Sequence, residues 1–319
     1  MEEKLKEDYP ELKTDDNQII IDEDPEIPNV SMGNHGEDVI DEKTALYLLM
    51  WLLLNTTVLD DEWNKFEDTL YELGLDDVIN ANDWFVEDNV RDREGDINLF
   101  RVAYNYDNMA KDLYSSVLYI QDLFKEWINS VDIYETEKLP VESLMKEDSF
   151  YLSFNYTETL EKIYGISSDQ IIHIHGLRYK ARKYYSEQLL LSQDKEQLIF
   201  GHGKDEVRDF GFRKIEQSSA NSILSKAIGE LRKPVDKIIK SHIALWKVLK
   251  DNDIKNVYSF GFSYAEVDTP YIKKIVSALN GGENVIWHLN SYDDKDDRNT
   301  LFEEIIRECG FKGIFGRFA

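Results

Sequence analysis

SFYLSFNYTETLEKIYG (149–165) and QIIHIHG (170–176) decide how this chain is read. Each opens on β-branched and aromatic residues and then stops on polar chemistry, at Asn155 in the first and at His175 in the second. Three comparable runs follow: QLIFGHG (197–203), NVYSFGFS (256–263) and ENVIWHLNS (283–291). Runs that are apolar almost throughout, rather than alternating, suit strands buried on both faces, as in a parallel sheet. Helical segments separate several of them: TETLEKIYG, the long SSANSILSKAIGELRKPVDKIIKSHIALWKVLKD, and EVDTPYIKKIVSALNGG. Such alternation predicts an α/β core over 148–319, a Rossmann-like parallel sheet flanked by helices.

The half upstream has a different texture. Residues 1–150 hold 39 Asp and Glu against 12 Lys and Arg, whereas 151–319 hold 24 against 25, so the net charge of −26 arises in the first half. That surface repels phosphate backbones, and nucleic acid is excluded as a partner. Residues 1–41 mix Pro, Gly, Asn and acids without periodicity and read as an irregular acidic segment, with His35 in a loop. Residues 42–147 read as an acidic helical cap or insertion. Within it Trp63, Phe66, Leu70 and Leu73 form one stripe ending at Gly74, and Met109, Leu113, Val117, Ile120, Phe124 and Trp127 form another. The run ALYLLMWLLL (45–54) is too short to span a bilayer and reads as a buried helix, so no membrane partner is expected. A single cysteine, Cys309, rules out an internal disulfide and a multi-cysteine zinc site, and suits a cytoplasmic setting.

In open parallel sheets, ligands bind beyond the carboxyl ends of the strands. Asn155, His175, His202 and Ser263 all fall at such ends, which predicts one shared cleft. His173-x-His175 has strand spacing for two imidazoles on one face but lacks a companion acid at convincing spacing, so no metal site is assigned. DDKDDRNTLFEE (293–304) puts Arg298 where a calcium loop needs glycine, and GFSYA lacks the second glycine of a serine-hydrolase elbow. Cys309 has no nearby base and reads as an inert thiol. The turns GHGK (201–204) and GFS (261–263) offer backbone N–H groups to a diphosphate. Beside them, a histidine can take a proton near neutral pH and an asparagine can orient water or a ribose hydroxyl. The same residues also suit a second reading, in which they bond backbone groups and hold the domain together.

SFNYTETLEKIYG, HIHG, IFGHG and GFSYAEVDTPYIKKI, in that order, resemble the AbiH family of phage abortive-infection proteins, and WNKFEDTL is similar to that family's Trp–Glu helix. The resemblance spans roughly 44–310. It implies an anti-phage effector whose core is distantly similar to sirtuin-like NAD-binding domains. By that likeness Asn155 and His175 are the catalytic pair, and Gly176, Gly201, His202, Gly203, Gly261, Ser263 and Asn290 hold the nucleotide. The reaction implied is hydrolysis of NAD to nicotinamide and ADP-ribose, with NAD as substrate or ligand and no required cofactor. The alternative it leaves open is a non-catalytic module that senses a nucleotide or engages a phage or host protein. Thr157 stands where the related N-x-D motif has aspartate. The family's usual first strand and GNGFD-type loop have no counterpart before MEEKLKEDYPEL. That difference implies a start upstream of Met1 or a member without the loop, poor NAD hydrolysis by the chain as it stands, and a tendency to form homo-oligomers.

Overall fold

A computed structural model describes residues 67, 69–81, 90–134, 148–178 and 198–318, and the backbone of four short strands further upstream. Those strands are β1 (Thr14–Asp15) paired with β2 (Gln18–Ile19), and β3 (Val30–Met32) paired with β4 (Asp38–Ile40), both antiparallel. The segment expected to be irregular therefore carries two small ladders. His35, the apolar run 45–54, Trp63 and Phe66 lie outside the described residues.

The chain gathers into two compact units, residues 1–130 with 200–232, and residues 131–199 with 233–319. The first is built around α2 (Leu99–Ser130), which follows the short α1 (Leu75–Ala81). Asn98 caps α2, its side-chain oxygen accepting from the Phe100 and Arg101 N–H groups at 3.1 and 3.3 Å. Met109, Leu113, Val117, Ile120 and Phe124 are buried as the periodicity predicts. Trp127 departs from it: the ring is 44% exposed and leans on Phe124, while Ile128 fills the buried position of the last turn. Leu70 and Leu73 are buried, as expected, and Arg208 donates to the carbonyls of Tyr71 and Leu73 at 2.6 and 2.7 Å. Helix α4 (Ser218–Glu230) lays Ala220, Leu224, Ala227 and Ile228 against this core.

The long helix expected over 218–251 is three: α4 (Ser218–Glu230), α5 (Val235–Ser241) and α6 (Ile243–Asp251). Pro234 precedes the second of these, where its missing N–H costs no hydrogen bond but bars a continuous helix. A four-residue helix, α3 (Thr159–Lys162), lies upstream of all three in sequence.

The second unit contains the parallel pairing. β5 (Tyr151–Ser153) pairs with β6 (Ile171–His173), Ser153 opposite His173. β7 (Asn256–Ser259), β8 (Ile286–Asn290) and β9 (Ile314–Phe318) form a second parallel sheet in that order. The architecture is thus α/β with small parallel sheets flanked by helices, and the expected single sheet is two among the described residues. Residues 198–203 of the run QLIFGHG form no strand; they make one isolated bridge, between His202 and Arg232. Their Phe200 stacks on Phe124 at 4.1 Å instead, and two glycines leave the rest with few side chains to hold a ladder. β9 went unpredicted.

Helices α7 (Thr269–Ala278) and α8 (Arg298–Glu308) cover one face of β7–β8–β9, with Ile272, Val276, Phe302 and Ile306 packed on Trp287 and Leu289. Ile174, Ile238, Leu245, Trp246 and Tyr271 form a second core beside β5 and β6. Ile275 of α7 packs against both clusters. Gly316 is required by β9: a Cβ there would lie 2.5 Å from Nδ1 of His288, its register partner. The His288 ring in turn stacks on Tyr258 at 4.4 Å.

Candidate functional site

Because Ser153 faces His173 in the β5–β6 register, Asn155 and His175 leave the sheet at the same level on neighbouring strands. The loop after β5 folds back on itself: the Asn155 N–H donates to Ser153 Oγ at 3.2 Å, and the Thr157 and Thr159 hydroxyls bond at 2.9 Å. Glu161 of α3 reaches back to His173 Nε2 at 3.0 Å, and His173 Nδ1 meets the Asn155 carbonyl at 3.0 Å. His173 therefore braces the strand end and offers no ring nitrogen to a metal. Asn155 itself is exposed. Beneath the two loops, Arg178 grips Glu158 through two bonds and also donates to the Val131 carbonyl, all three in the second unit.

His175 is 2% exposed and walled by aromatic rings, with Phe154 and Tyr271 edge-on at 5.4 and 5.5 Å and Tyr156 at 6.1 Å. Its Nε2 has no hydrogen-bond partner. Asp268 Oδ1 lies 3.7 Å from that nitrogen, and the buried Lys233 Nζ lies 3.9 Å from the same oxygen. Burial pushes the imidazole well below its ordinary range and the Lys233 charge pushes the same way, against a hydrogen bond to the Phe154 backbone. His175 is thus a neutral base with one lone pair uncommitted. Sequence reasoning singles out His175 but not Lys233, Glu158, Arg178 and Tyr271. The signals were present: a lysine between Arg232 and Pro234, and an arginine two residues after the HG pair.

The remaining predicted residues have other surroundings. Gly201, His202 and Gly203 belong to the first unit. His202 has both ring nitrogens engaged: Nε2–H donates to the Ile228 carbonyl at 3.0 Å, and Nδ1 accepts from the Lys204 N–H at 3.2 Å. Gly176 turns the chain after His175 at φ +86°. In the GFS turn, Ser263 is exposed, Gly261 has φ +59° and Tyr264 has φ +55°. A buried network pins that strained tyrosine, its hydroxyl donating to Ser259 Oγ at 2.5 Å while the Trp287 indole donates to both. Burial raises its pKa, so it stays protonated. The Asn290 side chain caps the 3₁₀ turn that follows β8 by accepting from the Tyr292 N–H at 3.0 Å. Cys309 is half-buried, and burial raises its thiol pKa, which leaves little thiolate.

Among the described residues, Asp92, Glu94 and Asp96 are near enough to share an ion, but all three are exposed and Asp92 already accepts from the backbone N–H groups of the other two. No described helix is long and apolar enough to cross a membrane.

No curated protein and no solved structure matches the chain. One family does, described as bacteriophage abortive infection AbiH, over residues 34–290. That span includes both strand-end loops, His202, the GFS turn, Asp268 and Asn290, so the residues that build the site lie inside the match. The chain belongs to the AbiH family of bacteriophage abortive-infection proteins.

Proposed function

We propose that the chain is a phage-defence effector that acts on NAD, its second unit cleaving the bond between nicotinamide and ribose in a site similar to sirtuin-like ones. Water attacks C1′ of the ribose, the C1′–N bond breaks with its electron pair going to the pyridinium nitrogen, and neutral nicotinamide leaves. The proton lost by the water passes to His175, and Asn155 orients the water or a ribose hydroxyl. The observation that carries this reading is the uncommitted, neutral Nε2 of His175 at the strand end beside Asn155. NAD loss would halt an infected cell before phage release, and a phage or host protein would supply the trigger.

The test is to follow NAD in infected cells producing the chain. NAD should fall in cells with the wild type and hold steady with His175→Gln, because loss of a general base costs on the order of 100-fold or more in rate. Phage protection should fail with the same variant.

A second reading is favoured by a separate observation. His202 spends both ring nitrogens, and Asn290 its side-chain oxygen, on backbone groups, as residues that merely hold a fold together do. In that reading the chain senses a nucleotide or engages a protein without cleaving anything. Protection with NAD unchanged would select it.

A further inference from the structure

An aspartate in front of a helix ordinarily accepts from the N–H groups of the first turn. Asp268 stands in that place before α7 and makes no such bond. Its Oδ1 lies instead 3.7 Å from His175 Nε2 and 3.9 Å from Lys233 Nζ. All three residues are buried. A neutral Nε2 aimed at a carboxylate oxygen presents a lone pair to an anion, which repels. Once that nitrogen carries a proton, the same approach becomes a charge-assisted hydrogen bond. The two states of His175 therefore have opposite interactions with one oxygen, at a distance that a small side-chain movement closes.

We propose that Asp268 is the positioning residue for His175: it receives the protonated imidazole, while Lys233 keeps the Asp268 carboxylate ionised until the proton arrives. The role rests on His175 being the base of the proposed reaction. The water proton moves to Nε2 as the oxygen bonds to C1′, and the new N–H turns to Asp268 Oδ1. The buried cluster then holds one ammonium, one imidazolium and one carboxylate, where it began with one ammonium and one carboxylate, and Asp268 Oδ1 is the anion that both cations face. Among the described residues, the other titratable groups around the ring are His242 between α5 and α6, Tyr271 in the first turn of α7, and Tyr156 beyond β5. None of these carries a carboxylate, so Asp268 is the hydrogen-bond acceptor that the protonated His175 meets.

The experiment is a nitrogen-15 NMR titration of the histidines in the full chain, with His175 assigned from the signal lost in His175→Gln. In the wild type, acidification should bring out a slowly exchanging, downfield proton on Nε2 of His175. Asp268→Asn should move the His175 midpoint down, and Lys233→Met should move it up, each by about one pH unit or more, as charges 4–6 Å away do. A His175 that stays neutral to the edge of acid unfolding in the wild type would overturn the pairing, as would a midpoint unmoved by Asp268→Asn. The wild-type measurement decides the matter even where the variants fail to fold. Should the titration follow Asp268 with no nicotinamide released by any form, the glycosidase reading falls and the pair stands. Nicotinamide release with an unmoved midpoint would have the reverse meaning. Where the protein is active, Asp268→Asn should lower kcat with KM little changed and shift the acid limb of its pH profile, which loss of packing alone would not do.

Discussion

Glu158 and Arg178 meet as a buried, two-point ion pair, Nε to Oε2 at 2.7 Å and Nη2 to Oε1 at 3.3 Å. The partners follow adjacent strands, so the pair ties the loop carrying Asn155 to the loop carrying His175. Removing one member leaves the other charged and stranded. Arg178→Met should therefore destabilise the chain by about 3–5 kcal/mol, far more than a surface ion pair would. Arg178→Lys should recover only part, because an ammonium cannot reproduce the fork. Urea unfolding of the three proteins measures both.

Acid should weaken the fold in a defined window. Burial holds His175 well below the ordinary value of 6.5 and lowers His202 from it as well. Between the folded and unfolded values the unfolded chain binds more protons, so stability falls as pH falls. The urea midpoint should stay level from about pH 8 to 7 and decline below about 6.5. His175→Gln should make that decline shallower. A midpoint equally steep in the variant would contradict the assignment.

Gly316→Ala places a methyl group against the His288 ring, in a register where the Cβ would sit 2.5 Å from Nδ1. Overpacking of this kind costs about 1–3 kcal/mol. His288→Ala on its own should cost less, and combined with Gly316→Ala it should return much of the loss. A double-mutant cycle by thermal unfolding reads the coupling directly.

His202 should behave as a structural residue. With both nitrogens bonded to backbone groups, His202→Phe leaves the half-buried Lys204 N–H without that partner and takes one of two donors from the Ile228 carbonyl, which keeps the Leu231 N–H, at about 1–3 kcal/mol in all. The loss should be visible by calorimetry without any ligand added. A nucleotide-binding histidine would instead show its effect chiefly in ligand affinity.

Much of this was legible in the sequence. The two opening runs gave adjacent strands because their apolar residues were unbroken and their polar stops sharp, and Asn155 and His175 came with them. β9 escaped notice since IFGRF holds a glycine and an arginine, and its glycine is explained only by the ring across the ladder. QLIFGHG misled for the opposite reason: its apolar residues suit a strand equally well, but Phe200 found an aromatic partner on α2. Asp268 and Lys233 reach His175 from 93 and 58 positions away in the chain, and no local pattern reports so distant a meeting. Trp127 shows the limit of periodicity, which gives the angle of a residue around a helix but not where its packing partner ends.

Ile275 gives α7 two allegiances, since the helix lies against the core of β5–β6 and against that of β7–β8–β9. Asp268 stands immediately before that helix. A change of charge just ahead of its first turn thus falls at the end of a helix that packs on both cores, including the one whose strand ends lead to Ser263 and Asn290. A proton taken up at His175 in the proposed reaction would then be felt through Asp268 by α7, the element that the two cores share through Ile275.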